Sequence, residues 1–191
     1  MNKLLPFILI LLSGCSSTYM VDYKYSHKVD SDPIRIAQSI PFIVVDDFKY
    51  NQHRNLTSYE LSALGCGLCE DDGSTSWGLV FKQPISSIIR QEVEMALTEI
   101  SIGGPSQECM ISANIHQAAH DTISTDQSLD ITYSLHISND VQFSKRIKSK
   151  TDNKIFSLLP IERLLAKVTR QSVQDLVLDR NFLKTIRQNC S

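Results

Sequence analysis

The chain has 191 residues, 42% apolar and 21% charged, enough for one domain with or without tails and ordinary for a globular protein. Against 19 Lys and Arg stand 21 Asp and Glu, a formal net charge of -2 that lacks the basic excess of a dedicated nucleic-acid binder. Mean hydropathy is -0.11 and only one apolar run is long, which argues against a polytopic membrane protein.

Met1-Asn2-Lys3 is a short basic start, followed by the apolar run Leu4 to Leu12, interrupted only by Pro6. That run falls well short of the roughly 20 residues a spanning helix needs, so it reads as a secretory signal rather than as part of the fold. The next residues, Leu12-Ser13-Gly14-Cys15, resemble the lipobox of bacterial lipoproteins. The resemblance implies cleavage after Gly14, a diacylglycerol on the Cys15 thiol and acylation of the new amine. Two or more acyl chains make membrane attachment stable where one does not. Ser16, rather than Asp, follows the modified residue, and by the same resemblance this favours the outer membrane. The expected organisation is a signal peptide over 1–14, a lipidated tether over 15–33 and a single periplasmic domain over 34–191.

Within that domain, Ile40 to Phe48 is the first strand candidate, with Phe42, Ile43, Val44 and Val45 a continuous run of strand formers and Pro41 at its entry. Residues 49–77 are polar and turn-rich, with a short helix expected from Thr57 to Gly65. A brief extended piece follows at Gly78 to Phe81. Pro84 then opens a helix whose apolar stripe is Ile85, Ile88, Ile89, Val93, Ala96, Leu97 and Ile100. Arg90, Gln91, Glu92 and Glu94 are assigned to its other side, and Gly103-Gly104-Pro105 closes it.

Cys109, Ile111, Ala113 and Ile115 alternate with polar or smaller residues, as do Leu129, Ile131, Tyr133, Leu135 and Ile137. Period two with one polar side predicts strands with one covered face. A turn at Asn139-Asp140 leads to a return strand beginning at Val141 and Phe143, so the pair is expected to be an antiparallel hairpin. A second helix is expected from Pro160, burying Ile161, Leu164, Leu165, Val168, Leu176 and Val177, with Ser172 and Asp175 breaking the pattern. Asp179 can cap a short final helix through Phe182, Leu183 and Ile186. The predicted class is α+β: a mostly antiparallel sheet with two principal helices packed on one face, plus a short C-terminal helix.

Few residues point to chemistry. His116 and His120 lie four apart on a predicted strand, about 13 Å, too far for one zinc ion. Asp46-Asp47 on a strand point to opposite faces, and Glu70-Asp71-Asp72-Gly73 lacks the alternating ligands of a calcium loop. No nucleophile elbow or phosphate-cradling loop occurs, so no catalytic residue, metal site or cofactor is expected. Lys145, Arg146, Lys148 and Lys150 form a basic cluster, either a charge-protected strand edge or a docking point for an acidic partner or anionic lipid. Cys66-Gly67-Leu68-Cys69 is the one motif open to redox use. In an oxidising compartment, however, Cys66, Cys69, Cys109 and Cys190 read first as structural disulfides, paired Cys66–Cys69 and Cys109–Cys190.

The lipobox, the strand Phe42-Ile43-Val44-Val45-Asp46, the helix from Pro84 to Ile100, the pair Ile131 to Val141 and the ending Asp179 to Asn189 together resemble the YajG-like and ABC-transport-auxiliary lipoproteins. The resemblance implies a non-catalytic module, anchored to the outer membrane by lipid and bound to a protein partner in an envelope assembly or transport system, with no nucleic acid involved. The alternatives are a periplasmic thiol-disulfide protein using Cys66 and Cys69, or a lipid carrier.

Overall fold

A computed structural model describes residues 20–21, 23, 34–50, 65–66, 80–103, 109–120, 126–151 and 161–190. In chain order the elements are β1 (Met20–Val21), β2 (Ile40–Pro41), β3 (Val44–Tyr50), β4 (Gly65–Cys66), β5 (Val80–Phe81), α1 (Ile85–Ile100), β6 (Ser101–Ile102), β7 (Cys109–His120), β8 (Gln127–Ile137), β9 (Asp140–Lys150), α2 (Ile161–Val177) and α3 (Arg180–Asn189). The main sheet runs β3-β7-β8-β9, with β4 also on β7. The long pairs β7–β8 and β8–β9 are antiparallel, whereas β3 and β4 join β7 in parallel. Two parallel pairs, β1–β5 and β2–β6, stand outside it.

Alternation fixes which face is covered. Ile111 and Ile115 on β7, and Leu129, Ile131, Tyr133 and Leu135 on β8, are buried against the helices. α1 lies over β3, α2 lies over β8 and β9, and the helices pack on each other. Phe48 of β3 meets Tyr133 edge-on, with ring centroids 6.2 Å apart, so both belong to the same covered face. A register shift between Ile115 and Gln117 reverses the alternation on β7: Gln117 is exposed and Ala118 buried. A two-residue turn joins β8 to β9 with positive φ at Ser138 (51°) and Asn139 (72°), one position earlier than expected. Such backbone twist suits a tight hairpin, and Asn tolerates it.

The first expected strand is broken in two. β2 pairs with β6, and β3 pairs with β7 across an irregularity between Val45 and Phe48 that leaves Asp46 and Asp47 both exposed. The continuous apolar run does not betray the break, since it reads the same for one strand or two; in the structure Phe42 and Val44 are half-buried and Ile43 is buried. The expected helix from Thr57 falls outside the described residues except for Gly65, which is in β4.

α1 matches its predicted span but buries one residue more than its apolar stripe. Glu92 has no exposed surface and accepts a hydrogen bond from the Tyr23 hydroxyl at 2.7 Å. Position 92 sits three and four residues from Ile89 and Ile88 and four before Ala96, squarely on the stripe. Residue type, not helical period, placed it on the wrong side. Tyr23 is itself buried and meets Phe81 edge-on at 5.8 Å, so this part of the expected tether is packed into the domain.

The interruptions on α2 have partners. The Ser172 hydroxyl donates to the Thr169 carbonyl and lies 2.7 Å from the buried Tyr133 hydroxyl, whose ionisation burial pushes well above the ordinary phenol range. Asp175 accepts from Ser149 and Gln171. The Arg170 guanidinium ties α2 to Glu99 of α1. Asp179 caps α3 as expected, its side chain accepting from the backbone N–H groups of Asn181 and Phe182. Cys109, at the head of β7, and Cys190, just past α3, are joined by a disulfide with Cα atoms 5.6 Å apart.

Candidate functional site

The face of the main sheet opposite the helices gathers the polar residues that the same alternation turns away from them. Met110, Ser112, Asn114 and His116 of β7 stand beside Asp130, Thr132, Ser134 and His136 of β8, all half-buried. Cross-strand hydrogen bonds link them. Ser112 Oγ lies 2.8 Å from His136 Nε2, His116 Nε2 lies 2.8 Å from Thr132 Oγ1, and Ser134 Oγ lies 3.4 Å from Ser144 Oγ on β9. His116 reaches Thr132 because it occupies the bulged position, between the residues paired with Ile131 and Asp130.

The basic cluster lies on β9, whose outer edge carries no strand among the described residues. Alternation divides it. Lys145 points to the helix side and reaches Asp179 at 2.6 Å. Arg146 grips Asp130 with two hydrogen bonds of 2.7 and 2.8 Å, while Lys148 approaches the same carboxylate at 3.5 Å. Lys150 pairs with Asp126 at 2.9 Å. Each of the four cations therefore meets a carboxylate, and they do not form one basic patch. The Arg146 hydrogen bonds, aided by the charges of Arg146, Lys148 and His116, hold the Asp130 carboxyl below the usual range. The Asp179 carboxyl is likewise lowered, by Lys145 first and by the α3 backbone amides after it. Charged side chains along an edge strand discourage pairing with another chain.

Chemically, the Ser112–His136 contact has the reach of a nucleophile and its base, but among the described residues no carboxylate hydrogen-bonds to His136 to orient it. Among the described residues no group of three His, Cys, Asp or Glu is placed to hold a metal ion, and no helix is long and apolar enough to cross a membrane. The arrangement is instead a hydrogen-bonded polar surface bordered by a charge-paired edge. Its imidazole–hydroxyl contacts were not anticipated; aligning the two alternating strands would have exposed them, since Ser112 stands opposite Ser134 and Met110 opposite His136. Of the other expected site residues, Cys109 and Cys190 are brought together. Cys15, Cys69 and the Cys66 side chain lie outside what the structure describes.

No family model and no curated protein matches the chain. Among solved structures, a Xanthomonas campestris protein of the DUF330 family superposes with a TM-score of 0.52 at 11% identity, covering 89% of this chain and 92% of its own. What the two share is the fold. An uncharacterized protein (TM-score 0.48, 7% identity, covering 90% of this chain and 99% of that one) and a candidate lipoprotein of Caulobacter crescentus (TM-score 0.39, 8% identity, covering 54% and 83%) superpose too loosely to bear on this chain.

Proposed function

We propose that the protein is a lipid-anchored accessory module of the bacterial cell envelope, held on the periplasmic face of the outer membrane through Cys15 and acting by binding a protein partner rather than by catalysis. The observation that carries this reading is Leu12-Ser13-Gly14-Cys15 directly behind a basic start and a short apolar run. The Cys109–Cys190 disulfide supports it, because such bonds persist in oxidising compartments and are rare in the reducing cytosol. The hydrogen-bonded polar face, with its cations already paired, supports a binding role over a reaction. Replacing Cys15→Ser is expected to abolish acylation and to leave the protein soluble or trapped as uncleaved precursor. Membrane fractionation, with the wild-type mass checked for acyl chains, tests this; unchanged attachment of the variant overturns the reading.

A further inference from the structure

The first of the described residues, Met20 and Val21, follow Cys15 by five and six positions in sequence. The backbone of β1, at Met20–Val21, pairs in parallel with β5, Met20 opposite Val80 and Val21 opposite Phe81. Two residues on, the Tyr23 ring is 4% exposed, edge-on to Phe81, and its hydroxyl donates to the buried Glu92 in the middle of α1. A buried carboxylate on a helix stripe is a poor choice for packing alone; here it is one half of a clasp on the N-terminal segment.

We infer that this clasp shortens the lipid leash and turns the β1–β5–α1 side of the domain toward the bilayer. The inference rests on acylation of Cys15 as proposed above. From Cys15 to Met20 there are five steps, which reach about 18 Å at full extension. Were the chain first held at Ile34, 19 steps would reach about 65 Å, and the domain would wander over every orientation. With the shorter leash, a domain of this size cannot turn its far side to the lipid surface. The partner of the β1–β5–α1 side is therefore the headgroup layer, and the remaining surface is left to face away from it.

The test uses the full acylated protein in phosphatidylethanolamine and phosphatidylglycerol vesicles carrying an acceptor dye on the headgroups. A donor dye replaces exposed Arg90 through an unnatural amino acid, and energy transfer to the bilayer is read. Ten Gly and Ser residues inserted between Ser17 and Thr18 lengthen the reach from about 18 to about 53 Å, and transfer is expected to fall about twofold or more. Tyr23→Ala should lower it similarly without any insertion, and Tyr23→Phe, which keeps the ring against Phe81 but loses the bond to Glu92, should fall between that variant and wild type; unchanged transfer in folded Tyr23→Ala overturns the clasp. Transfer unchanged by the insertion, in protein that carries acyl mass and floats with the vesicles, overturns the short leash alone. Absence of acyl mass overturns the proposed anchoring and the leash with it. If Tyr23→Ala fails to fold, the insertion, which changes none of the described residues, decides.

Discussion

The two faces of the central sheet are built from the same strands and obey opposite rules. On the covered side of β7 and β8, Ile111, Ile115, Ile131, Tyr133 and Leu135 have no exposed surface. Their neighbours one position along, Ser112, His116, Thr132, Ser134 and His136, are half-buried and bonded across strands. On the covered face, exclusion of water dictates residue type and tolerates little. On the other, each polar group needs only a partner within reach, and many residue pairs satisfy that demand. The first face holds the domain together by exclusion of water; the second is joined by side-chain hydrogen bonds across strands.

The contrast is sharpest for a charge placed on each side. Ile131→Asp would bury an unpaired carboxylate and is expected to cost several kcal/mol, enough to abolish cooperative unfolding in a thermal melt. Ser134→Asp, three residues along and on the other face, is expected to stay within about 1 kcal/mol. Comparable losses would mean that the second face is also covered. Removing the bond between covered-face Cys109 and Cys190 in the double variant Cys109→Ser/Cys190→Ser is expected to cost about 2 to 5 kcal/mol, read by denaturant titration. Wild-type protein in reductant should then match the variant.

A smaller effect separates the two sides of α1. Glu92→Ala leaves the Tyr23 hydroxyl without its carboxylate and is expected to cost about 1 to 3 kcal/mol, whereas Glu94→Ala, at an exposed position, should cost about 0.5 kcal/mol or less. Equal effects would return Glu92 to the solvent side. The smallest effect belongs to the polar face. Asp130 has a folded pKa below its ordinary value, so its contribution is present above the unfolded value near 3.9 and is lost as pH falls through the folded value. Melting temperatures of wild type and Asp130→Asn should therefore differ slightly at neutral pH and converge as the pH drops below about 4. A gap that does not depend on pH would remove the Arg146 ion pair from the account.

What could be read in the residues follows the same division. The period-two strands, the span of α1 and the Asp179 cap were legible because each rests on a local or period-based signal, whereas the Cys109–Cys190 pairing, across a separation of 81, followed only from pairing Cys66 with its near neighbour Cys69. Glu92 was misread because its type outweighed its position. The split between β2 and β3 was invisible because Phe42-Ile43-Val44-Val45 is equally apolar whether or not the strand is continuous. The basic cluster looked like one surface in sequence, and only the strand's alternation, together with Asp130, Asp126 and Asp179, shows its four cations divided among three carboxylates, Arg146 and Lys148 sharing Asp130.

The disulfide has a consequence for damage. It spans a sequence separation of 81 and so closes β7, β8, β9, α2 and α3 into a covalent ring. A single protease cut anywhere inside that ring opens a chain but releases no fragment. The severed pieces remain one molecule and can re-form their contacts at the high local concentration a linked pair enjoys. For a cut ahead of Cys109, the described residues offer packing alone, including the β3–β7 pairing and the α1–α2 contact, to keep the two parts together. In an environment rich in proteases, the two halves of this chain therefore differ in what one cut can do to them.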